Sequence, residues 1–177
     1  YMSGVVDFPV AYWLPLNCYV SVFTNDYGTN IPSVEYHQSF DQKDIRIQDR
    51  VYFYYRDTKS TKYDPNESPV PLPVPFLYKF YDYEAVKVTG HSGLNWNLYR
   101  YADILLMLTE VNWSLRQLGV NVSDNDILKG INEVRIRAGL QEFTSNLTLK
   151  DIMSERAYEL IFENKMLWDM RRTRKAL

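Results

Sequence analysis

Asn97-Leu98-Tyr99-Arg100-Tyr101-Ala102-Asp103-Ile104-Leu105-Leu106-Met107-Leu108-Thr109-Glu110-Val111-Asn112-Trp113-Ser114-Leu115-Arg116-Gln117-Leu118-Gly119 is followed, after a short polar break, by Asp126-Ile127-Leu128-Lys129-Gly130-Ile131-Asn132-Glu133-Val134-Arg135-Ile136-Arg137-Ala138-Gly139-Leu140. In the first half Tyr101, Ile104, Leu105, Leu108, Val111 and Leu115 recur at helical spacing and predict one apolar face. In the second half Ile127, Ile131, Val134 and Ala138 do the same. Two amphipathic helices with so short a connection must lie antiparallel and bury their stripes on each other, which predicts a helical hairpin.

The expected ends agree with that reading. Ser123 stands three residues before Asp126, the arrangement of an N-cap with an acid that reaches back to the first-turn amides. Gly119 and Gly139 stand where left-handed C-terminal caps are needed, and Arg135 and Arg137 lie near the negative end of the second helix. Thr148 with Asp151 predicts a third capped helix, with Met153, Ala157, Leu160 and Ile161 on its inner face. Arg156 and Glu159 are spaced for a local ion pair, and Asn164 is expected to tolerate positive φ. Trp168 and Asp169 are expected to return to the body, and Arg171, Arg172, Arg174 and Lys175 to form a solvated tail.

Three ordered segments carry a family resemblance. Tyr99 to Met107, Ile131 to Leu140, and Ile152 to Glu163 with Trp168-Asp169-Met170-Arg171-Arg172 resemble the C-terminal signature of the SusD/RagB family. The resemblance implies a mostly α fold: a tetratricopeptide-like hairpin and a closing helix after a loop-rich N-terminal half with a small β-hairpin. It divides the chain into a loop-rich segment, 1–95, and a helical segment, 96–177, at the C-terminal end of a longer polypeptide. It also implies a non-catalytic, lipid-anchored protein of the outer-membrane surface of Bacteroidetes. Such proteins capture an oligosaccharide or other nutrient and deliver it to a TonB-dependent, SusC-like transporter. A different class remains open, a tetratricopeptide-like protein–protein adaptor without a small-molecule ligand, and a third is a glycoside hydrolase fragment.

Composition narrows the chemistry. A net charge of -2 gives no electrostatic footprint for nucleic acid. One cysteine, Cys18, and two histidines, His37 and His91, leave little from which to build a disulfide framework or metal site, and no cofactor motif is present. The sequence has no apolar run long enough for a membrane helix and no leader-like pattern, so on the resemblance the lipid anchor belongs upstream.

Carboxylate pairs for glycoside hydrolysis can be drawn at Asp41 with Asp44 and at Glu155 with Glu159. A turn motif and helical ion pairing account for them better, so no catalytic residue is expected. Aromatics make up 15% of the chain, including 15 Tyr and 4 Trp, and such rings stack on sugars while offering a polar tip. Tyr101, Phe162 and Trp168 lie within the helical signature and are expected in the core. Tyr12, Trp13, Tyr27, Tyr36 and Trp96 lie in segments without amphipathic period and are the candidate ligand-binding residues. Asn25, Asp26, Asn30 and His37 could supply hydrogen bonds beside them. Arg50 to Arg56 is expected to form one strand of the small hairpin, and the alternating prolines from Pro69 to Pro75 a stiff extended connector.

Overall fold

The computed structural model describes residues 8–9, 32–55, 75–80, 91–92 and 97–174. The chain divides into two compact units, Tyr1–Asn95 and Trp96–Leu177. The described residues are mostly helical, and their strands are two residues long.

In the first unit β1 (Phe8–Pro9) pairs antiparallel with β4 (His91–Ser92), and β2 (Phe53–Tyr54) with β3 (Phe76–Leu77). The strand expected at Arg50 to Arg56 is therefore only its centre, and its partner follows the proline stretch rather than a tight turn. The prolines before Pro75 lie outside the described residues. Ahead of β2, α1 (Val34–Gln38) is capped by Ser33, whose hydroxyl accepts from the Tyr36 amide. A 3-10 turn at Ile45–Ile47 is capped by Asp44. Asp44 also receives the Arg46 guanidinium, Nε at 2.9 Å and Nη2 at 2.7 Å, with both side chains buried. A buried charge is tolerable only when paired and hydrogen-bonded in this way. Phe40, Tyr52, Phe53 and Leu77 are buried in this unit, with Phe40 and Phe53 edge-on at 5.8 Å.

The second unit contains α2 (Tyr101–Gln117), α3 (Asp124–Arg137), α4 (Leu149–Glu159) and α5 (Met166–Thr173). Ser123 accepts from the Asp126 amide, and Thr148 and Asp151 form a reciprocal capping box. Gly119, Gly139 and Asn164 all take positive φ, at 86°, 74° and 58°. Ile127, Ile131, Val134 and Ala138 are buried, as are Met153, Ala157, Leu160 and Ile161. The loop between α3 and α4 is clamped by Asn132, which donates to the Phe143 carbonyl and accepts from its amide, both at 2.8 Å. Trp113 fixes its far end by donating to the Leu147 carbonyl at 2.8 Å.

The inner face of α2 is not the expected one. Tyr101, Ile104, Leu108, Val111 and Leu115 are 37–67% exposed. Ala102, Leu106 and Thr109 are buried instead, with Leu105 and Trp113 partly so. The physical reason lies in α3. A Cβ on Gly130 would stand 2.5 Å from the Leu105 carbonyl oxygen and 2.8 Å from the Thr109 hydroxyl. The helices thus meet backbone to backbone, and the face of α2 that permits this carries its small residues. Ranking faces by side-chain size selects the opposite one.

Two further expectations are corrected. Arg171 and Arg172 belong to α5 rather than to a tail, though both are exposed, and Arg172 donates to Glu110 and Asp169; Lys175 lies outside the described residues. Arg156 and Glu159 do not pair with each other; each reaches out to other elements.

Candidate functional site

Of the candidate ligand-binding aromatics, Tyr36 is described, and Tyr12, Trp13, Tyr27 and Trp96 lie outside the described residues, as do Asn25, Asp26 and Asn30. Tyr36 is half-buried on α1, its ring edge-on to Phe40 at 5.5 Å. The same turn of helix presents His37, which packs edge-on against Phe53 at 5.4 Å and Tyr55 at 5.9 Å. The Tyr55 hydroxyl donates to the Ile47 carbonyl at 2.7 Å, because a carbonyl can only accept. Its lone pair must then accept from His37 Nε2 at 2.9 Å, which fixes the proton on that nitrogen and leaves Nδ1 as the atom that could meet a ligand. Burial lowers the His37 pKa below its ordinary 6.5, so the ring is neutral at pH 7. Burial first, and then the Asp49 charge, raise the Tyr55 pKa, so this phenol stays protonated.

On the second unit the sequence placed two aromatics wrongly. Tyr101 and Trp168, expected in the core, are exposed, together with Leu98, Tyr99 and Leu167. Lys165 brings these segments together: its ammonium bonds the Leu98 carbonyl, lies 3.1 Å from Asp103 Oδ2 and sits 4.2 Å over the Tyr99 ring. Arg171 lies 5.8 Å over the Trp168 ring. The Tyr101 hydroxyl bonds Glu133, and that hydrogen bond raises its pKa. Trp168 lacked a sequence signal because α5 is only 8 residues long, too short for periodicity to mark an inner face.

The carboxylates proposed as acid and base pairs are occupied by structural contacts. Asp41 accepts from the Lys43 amide at 2.8 Å and Asp44 holds Arg46. Glu155 accepts from Arg135 at 3.0 Å. Glu159 accepts from Arg100 at 2.6 Å and also from Arg137. Among the described residues no cluster of His, Cys, Asp or Glu could hold a metal ion, and no helix is long and apolar enough to cross a membrane.

Comparison with known proteins agrees with this architecture. A crystal structure of a SusD superfamily protein from Parabacteroides distasonis superposes with a TM-score of 0.73 at 32% identity, covering 94% of this chain and 36% of the other. A SusD-like protein from Formosa agariphila is 36% identical over 89 residues, 45% of this chain and 17% of that protein. The chain therefore spans well under half the length of either relative. The model of the SusD family matches residues 12–177, so nearly the whole sequence is accounted for and this chain belongs to the SusD family.

Proposed function

We propose that this chain is the C-terminal part of a longer, non-catalytic receptor that captures a glycan or other nutrient at the bacterial outer-membrane surface and delivers it to a TonB-dependent, SusC-like transporter. Membership of the SusD family is the observation that carries this reading, since it supports a nutrient- or glycan-binding role. The occupied carboxylates, Glu155 paired with Arg135 and Glu159 with Arg100 and Arg137, are consistent with a receptor, because an acid or base held in ion pairs is poorly placed to move a proton. In this reading Tyr12, Trp13, Tyr27, Tyr36 and Trp96 offer rings to sugar faces, His37 Nδ1 is available to a hydroxyl, and the helices are the rigid platform. An upstream lipid anchor holds the receptor at the membrane.

Isothermal titration of the intact protein against a panel of oligosaccharides tests it. Saturable heat with at least one glycan, weakened at least about tenfold by Trp13→Ala or Trp96→Ala, is expected. The exposed apolar row on α2 favours a second reading, a protein–protein adaptor without a small ligand. No heat with any sugar, with transporter binding retained, would select it.

A further inference from the structure

We infer that the exposed face of α5, formed by Trp168, Arg171 and Arg174, is a subsite for a uronic-acid residue of a glycan. This rests on the reading of the chain as a glycan receptor, and deepens it by naming an acidic ligand class and the side chains that take it.

Charge pairing singles out this face. Every other arginine among the described residues is paired with a carboxylate, the neighbouring Arg172 with both Glu110 and Asp169. Arg171 and Arg174 are exposed, and neither meets a carboxylate among the described residues. Cations in a last turn suit the negative end of the helix dipole, which accounts for their sign. It does not account for the tryptophan beside them, since Trp is among the more buried residue types on average. Trp168 is 62% exposed and Leu167 next to it 58%.

At 3.6 residues per turn, Leu167, Trp168 and Arg171 fall within about 100° of the α5 surface. Asp169 lies on the far side of the helix, buried, and accepts from Arg156 and Arg172. The inward side of α5 is thus balanced, and the outward side carries the surplus positive charge. The Arg171 guanidinium lies 5.8 Å from the centre of the Trp168 ring. Lys165 and Arg135 sit closer over Tyr99 and Phe143, at 4.2 and 4.3 Å, and cover those rings. Trp168 is flanked rather than covered, which leaves its face open to a sugar.

An open indole alone would serve any pyranose. A guanidinium held at its side selects one that carries a carboxylate. A hexuronate lying with its C–H face on Trp168 turns its carboxylate to the ring edge, where Arg171 donates to it in a paired, charge-assisted fork. Arg174 follows three residues on, about 4.5 Å along the axis, and meets the acid group of the next sugar in the chain. An acidic peptide offers the carboxylates without the flat C–H face that the indole takes, so the glycan is the better occupant.

Isothermal titration of the intact protein tests the subsite. The probes are oligogalacturonate and alginate oligosaccharides, each beside its methyl ester, which keeps the sugar ring and removes the charge. At least one free acid is expected to bind about tenfold tighter than its ester. Arg171→Gln with Arg174→Gln is expected to weaken the acid about fivefold or more and leave the ester unchanged. Trp168→Ala is expected to weaken both. Lys129→Gln with Lys150→Gln removes the same charge from exposed positions on α3 and α4, and is expected to change neither. Acid and ester bound equally, or an arginine double variant that binds the acid like its parent, would overturn the proposal. So would a lysine control that weakens the acid as much, or a polyglutamate peptide that binds as tightly through the same arginines. Neutral oligosaccharides bound without uronates would sink this subsite and leave the receptor reading standing. No heat with either class would sink both.

Discussion

The Arg156 guanidinium donates to Asp103 Oδ1 at 3.0 Å, joining two buried side chains 53 residues apart. Arg156 also donates through Nε to Asp169 at 2.8 Å. Tyr-Arg-Tyr-Ala-Asp at 99–103, Ser-Glu-Arg-Ala-Tyr-Glu at 154–159 and Trp-Asp at 168–169 are thereby wired together. Arg100 adds bonds to Glu159 at 2.6 Å and to Glu163 at 2.8 Å, and Arg135 one to Glu155. The charged letters of the family signature thus fall into ion clusters, the one at Arg156, Asp103 and Asp169 buried, that hold four helices. Arg156→Met would leave Asp103 and Asp169 without this partner in a desolvated site. A loss of about 3–5 kcal/mol in urea-induced unfolding is expected. A loss below about 1 kcal/mol would mean that water reaches the network.

The two faces of α2 predict opposite outcomes for neighbouring leucines. Leu106→Ala removes a fully buried side chain from the cluster with Ile127, Ile131 and Ile152, and is expected to cost about 2–5 kcal/mol. Leu108→Ala in the 177-residue chain trims a half-exposed side chain and is expected to cost less than about 1 kcal/mol. Denaturant midpoints of the two variants decide between the faces, and equal losses would restore the face chosen by side-chain size.

Gly130 gives the same contact a second test. In an isolated helix Gly→Ala is stabilising by roughly 1 kcal/mol. Here the added methyl meets the Leu105 carbonyl oxygen and the Thr109 hydroxyl, a buried group with no hydrogen-bond partner among the described residues. Backbone cannot yield as a side-chain tip can, so the helices must separate. Gly130→Ala is expected to destabilise by about 1–3 kcal/mol, and Gly130→Val by more. A thermal melt showing Gly130→Ala above the parent would refute the close approach.

What sequence made legible was local. Ser123, Thr148, Gly119, Gly139 and Asn164 act through their own turn of chain, and their roles could be read from spacing and φ preference alone. The inner face of α3 was also clear, because Ile127, Ile131 and Val134 stand against an otherwise polar helix. For α2 the pattern was ambiguous, since apolar residues ring most of its circumference and α3, not α2, chooses the face. The partners of Arg156 and Glu159 lie tens of residues away, beyond the reach of helical spacing. Tyr101 and Trp168 were misplaced for the same reason: hydrophobicity implies burial only when a neighbour is present to cover it. For the candidate site the short-range signals stopped at residue type. His37 was visible as a polar group beside Tyr36, but its orientation depends on Tyr55, 18 residues on.

His37 carries a prediction about acid stability. Burial lowers its folded pKa below 6.5, so the folded state binds fewer protons than the unfolded state within that window. Its contribution is therefore fully present above about pH 6.5 and is lost as the pH falls from there through the folded value. Protonation keeps the Nε2 bond to Tyr55 but places a charge between the rings of Phe53 and Tyr55, where water solvates it poorly. Melting temperatures recorded between pH 7.5 and about pH 5 are expected to decline on the acid side. His37→Gln, whose amide can still donate to Tyr55, is expected to flatten that decline. A variant that declines as steeply as the parent would assign the acid sensitivity to carboxylates elsewhere in the chain.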